Sequence, residues 1–150
     1  MSLLKYLTPD TVTADLQGSN KQEVIENLLD ILMKTGRIRD RESALAAVLE
    51  REKKMSTGME NGIAIPHGKT DAVDDLIAAV GISRVAVDFD ALDKQPSRIF
   101  IMTLSSSQRT GPHIQFLKEI SELLRSADMR RKLLAAKESR GILQILADSL

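Results

Sequence analysis

The amino-acid sequence predicts an α/β fold, a single-domain sandwich in which a central mixed sheet of about five strands is flanked by helices. Three observations carry that expectation. Apolar residues recur at helical spacing towards both ends of the chain. β-branched and apolar runs fill its middle. The 150 residues contain no repeat or low-complexity linker, so 1–150 reads as one domain with a core of its own. Several strands are only a loop apart, and antiparallel pairs are therefore expected in the sheet.

Thr11 to Leu16 reads as a short β-branched strand. Gly18 then leads into Ser19-Asn20-Lys21-Gln22, a capping box with Ser19 as N-cap and Gln22 at N3. Val24, Ile25, Leu28, Leu29, Ile31 and Leu32 have the spacing of a buried helical face, closed by Gly36 as a C′ glycine. Asp40 caps a second helix with Ala44, Leu45, Val48 and Leu49 inward, ending in the charged run Glu50 to Lys54, read as an exposed helix end. A turn-rich loop, Ser56 to Gly62, precedes the short apolar run Ile63-Ala64-Ile65. Leu76 to Ile82 and Arg84 to Phe89 read as two strands, and Arg98 to Leu104 as a central one. The last third is helical, with one stripe through Ile114, Leu117, Ile120, Leu123 and Leu124. Met129, Leu133 and Leu134 make a second stripe, and Ile142, Leu143, Ile145 and Leu146 a third.

Composition removes several function classes. Hydrophobic residues at 43% and charged residues at 28% describe an ordinary soluble globular chain. Lys+Arg and Asp+Glu both number 21, so the formal net charge is zero and no nucleic-acid partner is expected. Without cysteine there is no disulfide, thiol nucleophile or cysteine-rich metal site. The opening MSLLKYLTPD lacks the apolar core of a signal peptide, and no stretch is long enough to cross a bilayer. A cytoplasmic location without membrane insertion is the expectation.

Chemistry concentrates at the two histidines. His67 stands between Pro66 and Gly68 at the end of an apolar run, and Pro66 stiffens the approach to it. Gly58, Gly62 and Gly68 permit backbone to approach an anion, and Ser56 and Thr57 add hydroxyl donors. Imidazole is a good nucleophile near neutral pH, so His67 is a sensible phosphate acceptor. His113 follows Thr110-Gly111-Pro112 where the next helix begins, with Thr110 or Gly111 as N-cap and Pro112 in the first turn. There the helix dipole favours a nearby anion and a neutral imidazole. Taken singly, each histidine reads more readily as a surface or hydrogen-bonded structural residue than as a functional one.

The stretch from Arg51 to Gly68, REKKMSTGMENGIAIPHG, closely resembles the active-site signature of enzyme IIA domains of the fructose/mannitol class. These belong to the phosphoenolpyruvate-dependent phosphotransferase system and include nitrogen-regulatory members, which this stretch resembles most. His113 at the head of an amphipathic helix resembles the family's second histidine, and the order of elements agrees along almost the whole chain. Two features depart from the pattern. Asn61 stands where some sugar-type members are acidic, and Ser97 and Arg98 stand where apolar residues usually continue.

The resemblance implies that His67 is phosphorylated, that His113 hydrogen-bonds the phosphoryl oxygens, and that Arg51 offsets their charge. It implies that Ser56, Thr57 and Gly68 line the phosphate site. It implies a phosphotransferase needing neither cofactor nor metal, with a small histidine-containing phosphocarrier protein as donor. The phosphoryl group would then pass to a IIB domain, or the phosphorylation state would be read by a regulated transporter or kinase. The absence of a fused transport segment leans the expected cellular role towards regulation. Met55 and Met59 read as either a docking rim or core packing. A metal-dependent hydrolase using His67, His113 and Asp71, Asp74 or Asp75 is the remote alternative, since no ligand spacing supports it.

Overall fold

Two long antiparallel strands, Ile77–Val87 and Ser97–Ser105, form the centre of the molecule in a computed structural model that describes residues 3–149. Met1, Ser2 and Leu150, at the ends of the predicted domain, lie outside those residues. In chain order the strands are β1 (Val12–Thr13), β2 (Ile63–Ala64), β3 (His67–Lys69), β4 (Ile77–Val87) and β5 (Ser97–Ser105). The helices are α1 (Lys21–Met33), α2 (Arg41–Lys54), α3 (Gly111–Leu124), α4 (Ala127–Ala135) and α5 (Ser139–Asp148). The sheet order is β1-β4-β5-β2, with β3 also paired to β5, which is the predicted five-stranded mixed sheet between helices.

Alternation along β4 and β5 divides the core in two. Ala78, Val80, Ile82, Ile99 and Ile101 face α3, α4 and α5, where Phe116, Ile120, Leu133, Ile142 and Leu146 meet them. Ile77, Ala79, Phe100, Met102 and Leu104 face α1 and α2, against Val24, Leu28, Leu32 and Val48. Both faces are covered, so these strands read as continuous apolar runs rather than as alternating ones.

The structure revises several sequence expectations. Between the named strands, β4 and β5 pair antiparallel, while β1, β2 and β3 pair parallel with their neighbours; an isolated antiparallel bridge joins Gly58 to Ala64. Short loops suggested hairpins, but helices or long crossings intervene at the edges. The two strands expected before and after Ser83 are one, with a register irregularity between Ile82 and Val87. The first strand shrinks to Val12–Thr13, because Pro9–Thr11 winds into a 3-10 turn before it. The α1 N-cap is Asn20, which accepts from the Glu23 N–H, while the Glu23 carboxylate reaches back to Ser19. The cap is thus displaced by one residue, and the returning Glu23 bond goes to Ser19 rather than to the N-cap N–H. Asp40 caps α2 as expected, accepting from the N–H groups of Glu42 and Ser43. Ile114 is 65% exposed, because the buried stripe of α3 runs through His113, Phe116, Ile120 and Leu124.

β2 and β3 lie along β5 in one register, Ile63 beside Ile99 and His67 beside Thr103. They form one strand line interrupted at Ile65 and Pro66. Pro66 has no N–H for the ladder, yet its carbonyl accepts the Thr103 N–H at 3.2 Å and keeps the line in place. This interruption presents His67.

Candidate active site

The parallel register sets His67 beside Thr103, so both side chains leave the same face of the sheet. α3 covers that face and carries His113 in its first turn, with Thr110 as N-cap and Pro112 next to it. The two imidazole centroids are 5.5 Å apart, with the rings tilted by 56°.

His67 is half-buried, and its Nδ1 lies 2.8 Å from the Ile65 carbonyl oxygen. A carbonyl can only accept, so Nδ1 carries the hydrogen and Nε2 keeps its lone pair. Burial lowers the His67 pKa, the bond to Ile65 opposes that, Arg51 lowers it, Glu52 raises it and Lys69 lowers it. The neutral, nucleophilic form is thereby favoured.

His113 is buried, with Nε2 2.9 Å from the Thr103 hydroxyl and Nδ1 3.5 Å from that of Ser105. Its pKa is pushed down to about 4, first by burial and then by the charges of His67 and Lys69. The ring is neutral at physiological pH. The helix dipole led to the same expectation from sequence, but burial is the principal cause.

Arg51, in the last turn of α2, donates from Nη1 to the Met55 carbonyl at 2.8 Å. Its guanidinium lines the hollow beside His67 and retains donors for an anion. Lys69 was passed over in the sequence. It is two residues from His67 on the same strand, so the period of two places both on one face, a signal present in His67-Gly68-Lys69.

Ser56, Thr57 and Gly68 are all close to the site, with their groups engaged inside the protein. The Ser56 hydroxyl donates to the Phe89 carbonyl at 2.5 Å and accepts from the Gly58 N–H at 3.0 Å. The Thr57 hydroxyl and N–H donate to the two carboxylate oxygens of Glu52 at 2.5 and 2.9 Å. A Cβ on Gly68 would lie 3.0 Å from the Val48 nitrogen and 3.1 Å from the Ala47 carbonyl carbon, so this glycine lets α2 sit against β3. On Gly58 it would meet the Ala91 Cα at 2.8 Å, closing the loop against Phe89–Leu92.

An open hollow of about 260 Å3 runs beside His67, lined by Arg51, Met55, Met59, Ile65, Leu92 and Leu117 among others. Met55 is 64%, Met59 39% and Leu92 70% exposed, so the two methionines are not core residues. The three aspartates of the hydrolase alternative are engaged elsewhere. Asp74 pairs with Arg39, Asp75 with Arg109, and Asp71 accepts from Ser107 at 2.8 Å. Among the described residues, no group of three His, Asp or Glu side chains is placed to hold a metal. No helix among them is long and apolar enough to cross a membrane.

Comparison with known proteins agrees with this architecture. Residues 5–149 match the family described as phosphoenolpyruvate-dependent sugar phosphotransferase system, EIIA 2. A fructose-specific EIIA component of Haloferax volcanii is 38% identical over 146 residues, covering 97% of this chain and 95% of that protein. A nitrogen regulatory protein of Pseudomonas aeruginosa is 32% identical over 146 residues, with the same coverage of 97% and 95%. A fructose-specific EIIABC component of Bacillus subtilis is 34% identical over 97% of this chain, which spans only 23% of that longer protein. The crystal structure of nitrogen regulatory protein IIA-Ntr from Neisseria meningitidis superposes with a TM-score of 0.85 at 25% identity, covering 97% of this chain and 99% of that one. The fold is shared by Escherichia coli IIA mannitol, solved in complex with phosphorylated IIB mannitol, with a TM-score of 0.81, 23% identity, and coverage of 95% and 97%. With a paired-histidine site on this fold and a family match over nearly its whole length, the chain belongs to the EIIA type 2 family of the phosphoenolpyruvate-dependent sugar phosphotransferase system.

Proposed function

We propose that this chain is a phosphocarrier whose His67 Nε2 accepts a phosphoryl group from the phosphohistidine of a small histidine-containing carrier protein. The supporting observation is the bond from Nδ1 to the Ile65 carbonyl, which leaves the Nε2 lone pair free on a half-buried ring. In the transfer, a new N–P bond forms at Nε2 as the donor's N–P bond breaks. No proton has to move: the His67 hydrogen stays on Nδ1, donated to the Ile65 carbonyl, and shares the positive charge of the product ring, while the donor ring leaves as neutral imidazole with the hydrogen on its other nitrogen. Exchange between two imidazoles is close to isoenergetic, so alignment and charge compensation are the main demands on the protein.

Arg51 and Lys69 supply that compensation from two sides, and neutral His113 supplies an N–H at low desolvation cost. His113 reaches the Thr103 hydroxyl through Nε2 at 2.9 Å and that of Ser105 through Nδ1 at 3.5 Å, which holds the ring over His67. Ser56, Thr57 and Gly68 act at one remove, by shaping the loop. The hydroxyl hydrogens of Ser56 and Thr57 are committed to Phe89 and Glu52, which leaves these hydroxyls no hydrogen to donate to an anion. The exposed Met55, Met59 and Leu92 around the hollow form the docking rim for the donor, and for a IIB domain as acceptor.

The test is incubation with labelled phosphoenolpyruvate, enzyme I and the small carrier. Wild type takes the label and His67→Ala does not; label retained in His67→Ala refutes the assignment. A regulatory reading, in which a transporter or kinase senses the phosphorylation state of His67, is supported by the 32% identity to a nitrogen regulatory protein over nearly the whole chain. Adding candidate IIB domains separates the two, since only a transport component passes the phosphoryl group towards sugar.

A further inference from the structure

Glu52 belongs to the charged run at the end of α2, where exposed carboxylates are the rule. Its side chain instead turns inward and is only 5% exposed. A buried carboxylate persists where donors surround it, and three do. Lys21 Nζ lies 2.9 Å from Oε2, the Thr57 N–H donates to the same oxygen at 2.9 Å, and the Thr57 hydroxyl donates to Oε1 at 2.5 Å. Lys21 opens α1 and has a second partner in Asp90 at 3.2 Å. The carboxylate thus ties α1 and α2 to the loop that follows.

From Thr57 the path leads directly to the reactive ring. The Thr57 carbonyl accepts the Ile65 N–H at 3.1 Å, and the Ile65 carbonyl accepts His67 Nδ1–H at 2.8 Å. Pro66 lies between Ile65 and His67, so little backbone freedom remains to absorb a displacement of Ile65. The placement of that carbonyl matters chemically. A neutral histidine side chain in water prefers its hydrogen on Nε2, the nitrogen that must here be bare. Removing the Ile65 acceptor would therefore return the hydrogen to the position that blocks attack.

We propose that Glu52 is a positioning residue for His67, holding Thr57 and through it the Ile65 carbonyl so that the ring keeps its hydrogen on Nδ1 and its lone pair on Nε2. The proposal rests on the reading of His67 as the phosphoryl acceptor. Separately from this positioning, the charge of Glu52 favours the cationic ring of the product and opposes Arg51 and Lys69.

The test uses 15N NMR of the His67 ring in the full, unphosphorylated chain, together with phosphotransfer kinetics. Wild type should give a protonated Nδ1 and a bare Nε2. Glu52→Gln removes the charge and one acceptor while keeping the side-chain size. It should mix the two tautomers and slow transfer at least tenfold, with the donor's half-saturation concentration unchanged because Glu52 is buried away from the docking rim. Wild-type tautomer populations in folded Glu52→Gln overturn the proposal, as does a wild-type transfer rate. Should Glu52→Gln fail to fold, Thr57→Val carries the test. It keeps the backbone bond to Glu52 and loses only the hydroxyl, so a smaller tautomer shift in the same direction is expected, and none overturns the proposal. The tautomer is read without phosphate, so a wild type that takes no label sinks the phosphocarrier reading and leaves this measurement standing.

Discussion

His67 donates its Nδ1 hydrogen to the carbonyl of Ile65, the residue on the far side of Pro66, across 2.8 Å. This contact decides which ring nitrogen is nucleophilic, and Pro66 makes it rigid by fixing one backbone angle between the two partners. The phosphorylated protein should therefore carry its phosphoryl group on Nε2 and a hydrogen on Nδ1. 31P and 15N NMR of the ring distinguish this from Nδ1 phosphorylation, which would require the Ile65 bond to break.

His113→Gln should fold and be phosphorylated about tenfold to a hundredfold more slowly, less than the loss seen for donors in sealed sites because this site is open. Thr103→Val should act in the same direction, since its hydroxyl lies 2.9 Å from Nε2 and holds the His113 ring in place. Rates from rapid-quench transfer with a saturating donor are the measurement. A wild-type rate in His113→Gln would make that ring purely structural.

Burial also makes His113 a source of pH-dependent stability. Its pKa of about 4 in the fold lies below the ordinary 6.5 of an unfolded chain. Between those values the unfolded chain binds the proton and the native one does not, so stability falls as pH falls through that window. The full loss amounts to at most about 3 kcal/mol, and the lowered pKa of His67 contributes in the same sense. Urea unfolding at pH 7 and pH 5 should show the decline, and His113→Gln should flatten it.

Gly58→Ala should destabilise the fold by about 1–3 kcal/mol, because its Cβ would meet the Ala91 backbone, which cannot swing away like a side-chain tip. Gly68→Ala should cost somewhat less, with contacts at 3.0–3.1 Å against α2. Both substitutions should slow transfer as well, since Gly58 anchors the Thr57 loop and Gly68 follows the reactive histidine. Thermal unfolding and transfer rates on the same preparations check the pair.

Leu92→Asp tests the docking rim. Leu92 is 70% exposed, so stability should stay within about 0.5 kcal/mol of wild type. The donor's half-saturation concentration should rise roughly tenfold, the scale of one leucine side chain buried on association, with little change in the maximal rate. A loss confined to the maximal rate would place Leu92 in the chemistry rather than in recognition.

Much of this architecture was legible in local sequence. The helix over Lys21–Met33, the Asp40 cap, and Pro112 in the first turn of α3 follow from short-range rules that act whatever surrounds them. The run from Arg51 to Gly68 carried the family, because its loop and His67 are contiguous in the chain. Periodicity misjudged Ile114 and Glu52, since both depend on which face of a helix meets its neighbour and not on the helix itself.

What only the tertiary structure decided is how distant segments meet. Parallel pairing of β3 with β5 brings His67 beside Thr103, and α3 then lays the His113 ring 5.5 Å from that of His67 and its Nε2 2.9 Å from the Thr103 hydroxyl. No local rule specifies that register, because it arises from filling two cores on opposite faces of one sheet. The same packing sets the hydroxyls of Ser56 and Thr57 against the Phe89 carbonyl and the Glu52 carboxylate. Residue types set which chemistry was available, and burial and register set which atoms could perform it.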